Sequence, residues 1–499
     1  MLKTTRRVLA IICFTLITLL FLDFTGTIHA WFSWLAKVQF LQAIFTLNVG
    51  VVITLIVLTL LFGRIYCSVI CPLGVFQDVV SWISGKRKKN RFKYSPAISW
   101  LRYGFLGIFI LTIISGFTAW VSFIAPYSTY GRMASNLFAP IWQLGNNVLA
   151  YIAEQIDSYA FYKVDIWLKS LSVLSVSIAT FAIIATLAWK YGRTYCNTIC
   201  PVGTVLGFLS RFSLFKPVID INKCNNCGLC SRNCKASCIN SKDHTIDYSR
   251  CVTCMDCLDK CKQGAIQYVF RGKQVETATS QQEPASARRK FFSLSALLAT
   301  SALAQAQKKE KAFQREGDGG LADIKEKKAP NRRTPIVPPG ALSIANFTQR
   351  CTACQLCVTV CSNQVLRPSS NLTSFMQPEV SYERGYCRPE CVKCSEVCPS
   401  GAIKPITKEE KTAIQIGHAV VRLGRCIVNR EEVSCGNCAR HCPTNAIMMV
   451  PKDPHNPKSL QIPVVNEERC IGCGACENLC PVRPFSAIRV EGHQVHRNI

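Results

Sequence analysis

Histidine and acidic residues are scarce in this 499-residue chain. It contains 7 histidines, and its 30 Asp and Glu residues face 58 Lys and Arg residues, which gives a formal net charge of +28. So few imidazoles limit any site that needs several histidine ligands. No C-x-x-C pair is followed by histidine, which argues against c-type haem. His29 is the only histidine in a long apolar segment, which argues against a transmembrane bis-histidine haem.

Sequence motifs for nucleotides and nucleic acids are also missing. The chain has no G-x-G-x-x-G and no P-loop, so direct NAD(P)H or ATP chemistry has no support. No basic, aromatic-interleaved motif indicates nucleic-acid binding. No nucleophile or paired general base stands out, and we predict no catalytic residues. An ordinary soluble enzyme is therefore excluded.

Cysteine, in contrast, is abundant, with 30 residues. A chain this long buries a core without disulfide staples. The spacing also argues against disulfides, because 24 of the cysteines form six groups of four with gaps typical of metal or cluster ligands.

The first two hundred residues are predicted to lie in a membrane. Four apolar segments, each near the 20 residues that span a hydrocarbon core, occupy residues 8–28, 43–62, 103–124 and 171–189. Basic residues cluster at the N-terminus, after the second segment (Lys86 to Lys93) and after the fourth, so both ends of this unit are predicted to be cytoplasmic.

Loop 125–170, on the predicted outer side, is rich in aromatic residues. Two interpretations remain open for it: an aromatic belt at the membrane interface, part of it an interfacial helix, or the wall of a quinol pocket. Its aromatic residues are Tyr127, Tyr130, Phe138, Trp142, Tyr151, Tyr159, Phe161 and Tyr162.

An internal repeat follows the second and fourth segments. Residues 63–74 (GRIYCSVICPLG) and 192–203 (GRTYCNTICPVG) match at eight of twelve positions, which predicts two related hairpins in parallel orientation. Each copy has a C-x3-C-P pair, a spacing that on a helix puts both thiols on one face. Three hypotheses stay open for these cysteines: a metal or cluster site, a redox-active dithiol, or a structural turn. They are Cys67, Cys71, Cys196 and Cys200.

A two-cluster ferredoxin pattern comes next. The spacing C-x2-C-x2-C-x3-C occurs twice and is the bacterial ferredoxin run, in which the fourth cysteine binds the neighbouring cluster. One [4Fe–4S] cluster is therefore predicted on Cys224, Cys227, Cys230 and Cys261, and another on Cys251, Cys254, Cys257 and Cys234. Zinc is the weaker alternative. Lys235 and Lys262 replace the usual proline after the fourth cysteine, and Cys13 and Cys238 have no assigned role.

The linker 272–340 contains an export-like segment at 288–306. Arg288 and Arg289 precede a 14-residue apolar run that closes with Ala302-Leu303-Ala304, which resembles a twin-arginine signal. Three hypotheses remain: the segment threads the membrane and places residues 308–499 outside, it is cleaved there, or it is an interfacial helix that leaves them inside.

Residues 341–499 hold four more quartets, which predict two tandem two-cluster units. If the fourth ligand crosses over as before, the predicted ligand sets are Cys351, Cys354, Cys357 with Cys398; Cys387, Cys391, Cys394 with Cys361; Cys426, Cys435, Cys438 with Cys480; and Cys470, Cys473, Cys476 with Cys442. His441 is predicted to be a surface residue, because its quartet is already complete.

These motifs carry a family resemblance. Residues 1–270 resemble the NapH-type quinol-linked membrane ferredoxins, and residues 285–499 resemble the NapG/MauM-type ferredoxins, which have a twin-arginine signal and four clusters. The chain thus resembles a fusion of the two. The resemblance implies electron transfer from membrane quinol to a periplasmic reductase, or to its cytochrome partner, in a system of the nitrate-reductase type.

We therefore predict a membrane α-helical domain with four transmembrane helices (1–215), an α+β bacterial-ferredoxin-like domain (216–271), the linker (272–340) and a four-cluster domain (341–499). The predicted place is a bacterial inner membrane, with the first ferredoxin cytoplasmic and the last domain periplasmic. The predicted cofactors are six [4Fe–4S] clusters, with quinol as substrate. The chain is predicted to be an electron-transfer component, and the narrower assignment as a quinol dehydrogenase stays open. The alternatives are redox maturation of a partner metalloenzyme and a quinol-independent wiring subunit of a larger complex.

Overall fold

The structure is a computed structural model that describes residues 2–87, 92–116, 118–271 and 325–499. The twin-arginine-like segment 288–306 lies outside these residues, as do Lys88, Lys89 and Arg91 of the basic loop. The structural account below concerns the described ranges.

The described residues up to Phe212 are mainly helical. The N-terminal helix Leu2–Leu22 and the helix Leu171–Tyr191 are the longest, with 21 residues each. The other elements are Thr27–Phe32, Trp34–Lys37, Phe40–Phe45, Val49–Phe62, Ile65–Val69, Pro72–Arg87, Ser99–Ile114, Thr118–Ile124, Pro126–Met133, the π-helix Ala134–Phe138, Ala139–Gln155, Thr194–Thr198, Pro201–Leu209 and the 3-10 turn Ser210–Phe212.

Two of the four predicted spans are long and apolar enough to cross a membrane, namely Leu2–Leu22 and Leu171–Tyr191. The other two form shorter apolar helices, Val49–Phe62 and Ser99–Ile114. At 1.5 Å per residue, 14 residues reach only about 21 Å, less than a hydrocarbon core of about 30 Å. Large apolar side chains stay exposed on these helices; Ile11 is 63%, Leu111 66% and Ile183 58% exposed.

The first cysteine-rich unit follows directly. The strands Phe215–Ile219 and Ile266–Phe270 pair antiparallel and bring its ends together, and the short strands Ile239–Asn240 and Thr245–Ile246 form a second pair. Two short helices, Leu229–Arg232 and Asp256–Lys260, begin inside the two cysteine runs.

The C-terminal unit has the same plan on a larger scale. Its antiparallel pairs are Leu366–Pro368 with Pro378–Val380, Ile447–Pro451 with Gln461–Val465, and Ile414–Val421 with Ile488–Asn498. Its helices and turns are Ile344–Arg350, Leu356–Val360, Leu372–Ser374, Lys393–Val397, Lys408–Ala413, Leu423–Arg425, Ile427–Arg430, Asn437–Arg440 and Ala475–Leu479.

The two cysteine-rich units contact opposite ends of the N-terminal helix. At its beginning, Lys3 lies 2.5 Å from Asp259 and 3.5 Å from Asp256 of the first unit. Near its end, Phe21 packs beside Gly131, which touches the carbonyl of Cys354 in the C-terminal unit. A 21-residue helix is about 31 Å long, so the two contacts are separated by roughly the thickness of a bilayer core. We call these contacts the inner interface and the outer interface.

Candidate metal centres

The crossed cysteine sets come together in the first unit. One cavity is lined by Cys224, Cys227, Cys230 and, from the second run, Cys261; we call this set site A. The strands Phe215–Ile219 and Ile266–Phe270 pair beside it, which is how residues 37 positions apart in sequence become neighbours.

A second cavity, which we call site B, gathers Cys251, Cys254, Cys257 and the crossing Cys234. It also contains Cys238, a residue that had no assigned role. The Cys238 sulfur lies 3.5 Å from the Cys234 sulfur, and this hydrogen bond lowers the pKa of Cys234. Site B therefore has a fifth thiol beside its predicted ligands.

The C-terminal cysteines form four comparable sets. We call them sites C, D, E and F in the order in which they lie away from the helical domain. Site C groups Cys351, Cys354, Cys357 and Cys398. Burial, together with the proximity of the other thiols, raises the pKa of Cys357. The other three sets line cavities: Cys361, Cys387, Cys391, Cys394 (D); Cys442, Cys470, Cys473, Cys476 (E); Cys426, Cys435, Cys438, Cys480 (F).

Backbone amides donate to the crossing cysteines of the C-terminal sites. The N–H of Val365 points at the Cys361 sulfur (3.4 Å), that of Ile403 at Cys398 (3.4 Å) and that of Ala446 at Cys442 (3.2 Å). Such bonds stabilise the thiolate form that iron requires. The donor set of four thiols with amide donors therefore fits a [4Fe–4S] cluster, which supplies one-electron transfer when bound.

No set of three or more His, Cys, Asp or Glu side chains in the described part of the chain is arranged for a single metal ion. The weaker zinc alternative for the cysteine sets stays a prediction. His441, predicted to be a surface residue, is exposed, and its Nδ1 lies 2.9 Å from the carbonyl oxygen of Asn437.

The two copies of the repeat meet around four buried thiols, Cys67, Cys71, Cys196 and Cys200, which we call the motif quartet. Each copy reaches across to the other. Arg64 donates to the carbonyl of Cys196 (3.2 Å), and Arg193 donates to the carbonyl of Cys67 (2.7 Å). This reciprocal pattern makes the repeat one pseudo-symmetric site.

The glycines of the repeat make room for these crossing arginines. A Cβ at Gly74 would overlap the carbonyl oxygen of Cys67 and crowd Arg193, and one at Gly203 would do the same to Cys196 and Arg64. The motif's G-R-x-Y-C-x3-C-P-x-G pattern thus describes a close approach between two chain segments, which explains why its glycines and arginines occur together.

Charge in the motif quartet is unevenly balanced. Arg193 has a carboxylate partner, because its Nε lies 2.8 Å from Asp78. Arg64 is completely buried, and within the described ranges it bonds to Asn197, two carbonyl oxygens and a sulfur but to no carboxylate. A buried cation without an anion is unfavourable. The Cys67 sulfur of the quartet lies 3.9 Å from Arg64 Nη2, so a thiolate-bound cluster there would supply negative charge.

The quartet lies between site B and site C. On the inner side, Arg64 donates to the carbonyl of Ser249, two residues before Cys251 of site B. On the outer side, Tyr195 donates to the carbonyl of Ile124 and lies close to Arg132, a fully buried arginine next to Cys354 of site C. Further out, the N–H of Cys387 (site D) bonds to the carbonyl of Cys473 (site E) at 2.9 Å. The sites therefore follow one another as a continuous series.

Loop 125–170 differs from the prediction in its first part. Helix Pro126–Met133 is completely buried, because it packs between the N-terminal helix and the Cys354 loop. The second part, helix Ala139–Gln155, keeps apolar side chains such as Ile141 and Trp142 exposed, as an interfacial helix would. The predicted quinol pocket stays a prediction; buried polar atoms without a partner in this loop are Tyr127 Oη, Ser128 Oγ, Arg132 Nε and Ser135 Oγ.

Sequence reasoning missed two polar groups that the fold uses. Asp23 and His29 form a buried pair at the outer end of the N-terminal helix, with His29 Nδ1 3.0 Å from Asp23. Lys235 bonds to Asp256 (2.8 Å) and lies 3.4 Å from Asp78, so it joins the first unit to the helical domain. The signal for Lys235 was its replacement of the usual proline. His29 stood out only as the one histidine in a long apolar segment, and nothing in the sequence indicated Asp23 as its partner.

Comparisons with known proteins agree with this chemistry. A 4Fe-4S binding domain matches residues 44–90 and 173–220, the two segments that contain the motif quartet. A 4Fe-4S dicluster domain matches residues 433–483, which contain most of sites E and F. No solved structure matches the chain.

Three curated relatives are ferredoxin-type proteins. The methylamine utilization ferredoxin-type protein MauM of Methylobacillus flagellatus is 33% identical over 175 residues, 34% of this chain and 74% of that protein. NapH of Haemophilus influenzae is 26% identical over 234 residues, 45% of this chain and 68% of the relative. NapF of Escherichia coli is 27% identical over 159 residues, covering 32% and 87%. The chain therefore belongs to the family of ferredoxin-type 4Fe-4S electron-transfer proteins that includes MauM and NapH.

Proposed function

We propose that this chain is an iron–sulfur wire that conducts electrons across a membrane. The proposed wire has six [4Fe–4S] clusters at sites A to F and a seventh cluster in the motif quartet. The observation that carries it is the placement of the motif quartet between site B at the inner interface and site C at the outer interface. Without a redox centre there, the two groups of sites would be separated by the helical domain.

The charge around the quartet supports the seventh cluster. An oxidised cubane with four thiolates carries roughly −2, from four thiolates around a core of charge +2. Arg64 and Arg193, both completely buried, each reach within 3.9 Å of a motif sulfur and are placed to offset that charge. Arg132 resembles Arg64 in this respect. It is completely buried, lies beside Cys354 of site C and, in the part of the chain described, forms no ion pair.

The membrane location of the helical domain rests on its exposed surface. The two longest helices are only 28% and 22% buried in their most apolar windows. In water such faces would be an aggregation liability, whereas in lipid they are the expected surface. We propose that the shorter helices Val49–Phe62 and Ser99–Ile114 complete four spans together with the segments next to them.

The proposed topology follows from the basic residues and the two interfaces. The N-terminus and the first ferredoxin lie in the cytoplasm of a bacterial cell and residues 341–499 in the periplasm, as in a fusion of a NapH-type with a NapG/MauM-type protein. The donor is membrane quinol, oxidised beside loop 125–170, and the acceptor is a periplasmic reductase of the nitrate-reductase type or its cytochrome partner. The support for the last step is the resemblance to NapH.

The chain's own residues position the centres. The crossing arginines hold the two halves of the motif quartet in register, and the amides of Val365, Ile403 and Ala446 stabilise the thiolates of the outer sites. The clusters supply one-electron transfer when bound, so no general base or nucleophile is needed along the path.

Reconstitution in liposomes tests the wire. Purified holoprotein is inserted with site A facing out, reduced from that side by dithionite, and an impermeant oxidant is enclosed within. We expect oxidant reduction inside, and its loss in a Cys67→Ser/Cys196→Ser variant that keeps about 24 of about 28 iron atoms per chain. Equal reduction by the variant would overturn the intramembrane cluster. Menaquinol in the bilayer replaces dithionite to test the quinol step separately.

A further inference from the structure

Sites A and B lie on the wrong side for a wire that only takes electrons from quinol outward. Electrons leaving the bilayer for the outer interface need sites C to F, but the inner sites would then be a dead end. Site A also has a solvent-exposed ligand. Its cavity is lined only by residues 219–266 of the first unit, and Cys227 is the one exposed cysteine in the described chain.

The two lysines that replace proline after a fourth cysteine behave differently. The side chain of Lys235 is 14% exposed and forms ion pairs with Asp256 and Asp78 at the inner interface. Lys262, which follows Cys261 of site A, is exposed and makes no ion pair with any described residue. The first substitution docks the ferredoxin on the helical domain, while the second leaves a free positive charge beside the open cluster site.

Lys262 belongs to a ring of exposed basic residues around site A, which we call the basic rim. Each member is next to a cysteine or another residue that lines the site A cavity, or hydrogen-bonds to one. Its members are Lys223, Arg232, Lys242, Lys260 and Lys262.

Little negative charge offsets the basic rim. Among the described residues, Asp220 pairs with Lys223 at 3.5 Å and Asp243 accepts a hydrogen bond from Asn240, while Asp259 is taken by Lys3. Lys242, Lys260 and Lys262 have no carboxylate partner in this part of the chain. Three exposed lysines without a carboxylate partner beside a redox site complement an acidic protein that presents its own redox centre at the contact.

We infer that the basic rim docks a soluble acidic one-electron carrier on the inner side, so that the wire has a second point at which electrons enter. This inference rests on the proposed transmembrane wire. In the step, the carrier's reduced centre loses one electron and site A gains it. No bond forms or breaks and no proton moves.

The test uses flavodoxin, an acidic flavoprotein, as the carrier, reduced to its hydroquinone. Its reaction with oxidised holoprotein in nanodiscs is followed by stopped-flow absorbance, and its binding by biolayer interferometry. The variant is Lys260→Glu/Lys262→Glu. The control is Lys452→Glu/Lys458→Glu, which makes the same charge change at two exposed lysines of the C-terminal unit.

We expect the site A variant to lower both the association rate and the affinity about tenfold at low salt, with the difference shrinking as salt screens the charges. The control should match the wild type. Dithionite, a small reductant, should reduce the variant's clusters at the wild-type rate.

An unchanged flavodoxin rate in the site A variant would overturn the docking surface while leaving the wire intact. If dithionite also failed to reduce the variant's clusters, the defect would lie in the cluster at site A or in electron transfer along the wire, not in docking. A third outcome is that the flavodoxin rate is unchanged while the variant loses a preference for anionic over zwitterionic nanodiscs. The rim would then bind anionic lipid, and the inference would fail.

Discussion

The inner and outer interfaces of the helical domain are held by opposite kinds of contact. At the inner interface Asp78 forms an ion pair with Arg193 at 2.8 Å and also lies 3.4 Å from both Arg6 and Lys235. Asp256 forms an ion pair with Lys235 at 2.8 Å. The outer interface has neutral contacts. Gln42 bonds to Thr352 (3.1 Å), Asn136 to Gln355 (2.8 Å), and Phe123 stacks on Phe375.

This difference follows from the number of basic side chains whose positive charge each interface has to neutralise. The inner interface collects the basic residues Arg6, Arg193 and Lys235, so it needs buried carboxylates to hold them together. The outer interface joins two largely apolar surfaces, and the side-chain hydrogen bonds named above connect neutral groups. Its buried cation Arg132 forms no ion pair in the described residues. Ionic contacts should respond to pH and to removal of one partner, while neutral contacts should respond weakly.

The largest effect is expected from Asp78→Asn. It leaves three cations without their shared carboxylate, and removing one partner of a buried ion network costs about 3–5 kcal/mol. Amide hydrogen exchange around Lys235 and Ser249 should rise strongly, while exchange around Thr352 should stay as in the wild type.

Asp157→Asn is the matched control for that variant, because Asp157 is exposed and forms no ion pair in the described residues. It should leave exchange unchanged at both interfaces. Equal loosening of the inner and outer interfaces in Asp78→Asn would contradict their independence.

Lowering the pH should separate the interfaces next. Burial would raise the pKa of Asp78, but Arg193, then Lys235 and Arg6, outweigh it and hold the pKa below its ordinary value. The same holds for Asp256, where Lys235 outweighs burial. Both carboxylates therefore stabilise the inner interface at neutral pH, and this contribution is lost as the pH falls below about 4.

Hydrogen exchange at pH 6 and pH 3.5 measures this effect, with the outer interface as internal control. Acid loss of clusters would loosen both interfaces, whereas protonation of the carboxylates loosens the inner one alone. Greater protection of the inner interface at pH 3.5 would show that the sign is wrong.

A smaller effect is expected from Gln42→Ala at the outer interface. The change leaves the buried Thr352 hydroxyl without its partner, which costs about 1–3 kcal/mol. Gln42→Glu tests the neutral character of this contact, because a buried carboxylate without a cation should be worse than alanine. Thermal denaturation of both variants beside wild type measures the difference; a more stable Gln42→Glu protein would refute it.

Cysteine spacing alone predicts most of the residues in the candidate sites. The remaining features depend on tertiary contacts that the sequence does not reveal. The three-plus-one spacing predicts that Cys261 joins Cys224, and the structure places both in one cavity, because the ferredoxin fold follows from local chain geometry. The crossing of Arg64 to Cys196 could not be predicted, since it depends on how two repeats 129 residues apart pack together. The burial of helix Pro126–Met133 was missed for the same reason, because its partner lies in a different unit.

The smallest effect concerns the crossing cysteines of sites B and D. Cys238 stands four residues after Cys234, where Val365 stands four residues after Cys361. Because the Cys238 sulfur lies 3.5 Å from that of Cys234, it can replace it as the fourth ligand of site B. Cys234→Ala should therefore keep its iron, Cys361→Ala should lose about four iron atoms, and Cys238→Ala should change nothing.

Iron analysis of the three purified variants measures this, and the double variant Cys234→Ala/Cys238→Ala completes the set. It should lose about four iron atoms, as Cys361→Ala does. If Cys234→Ala alone already loses them, the spare thiol does not reach the cluster. The inner and outer ferredoxins would then hold their crossing ligands in the same way, and the contrast between the two ends of the molecule would be confined to their interfaces.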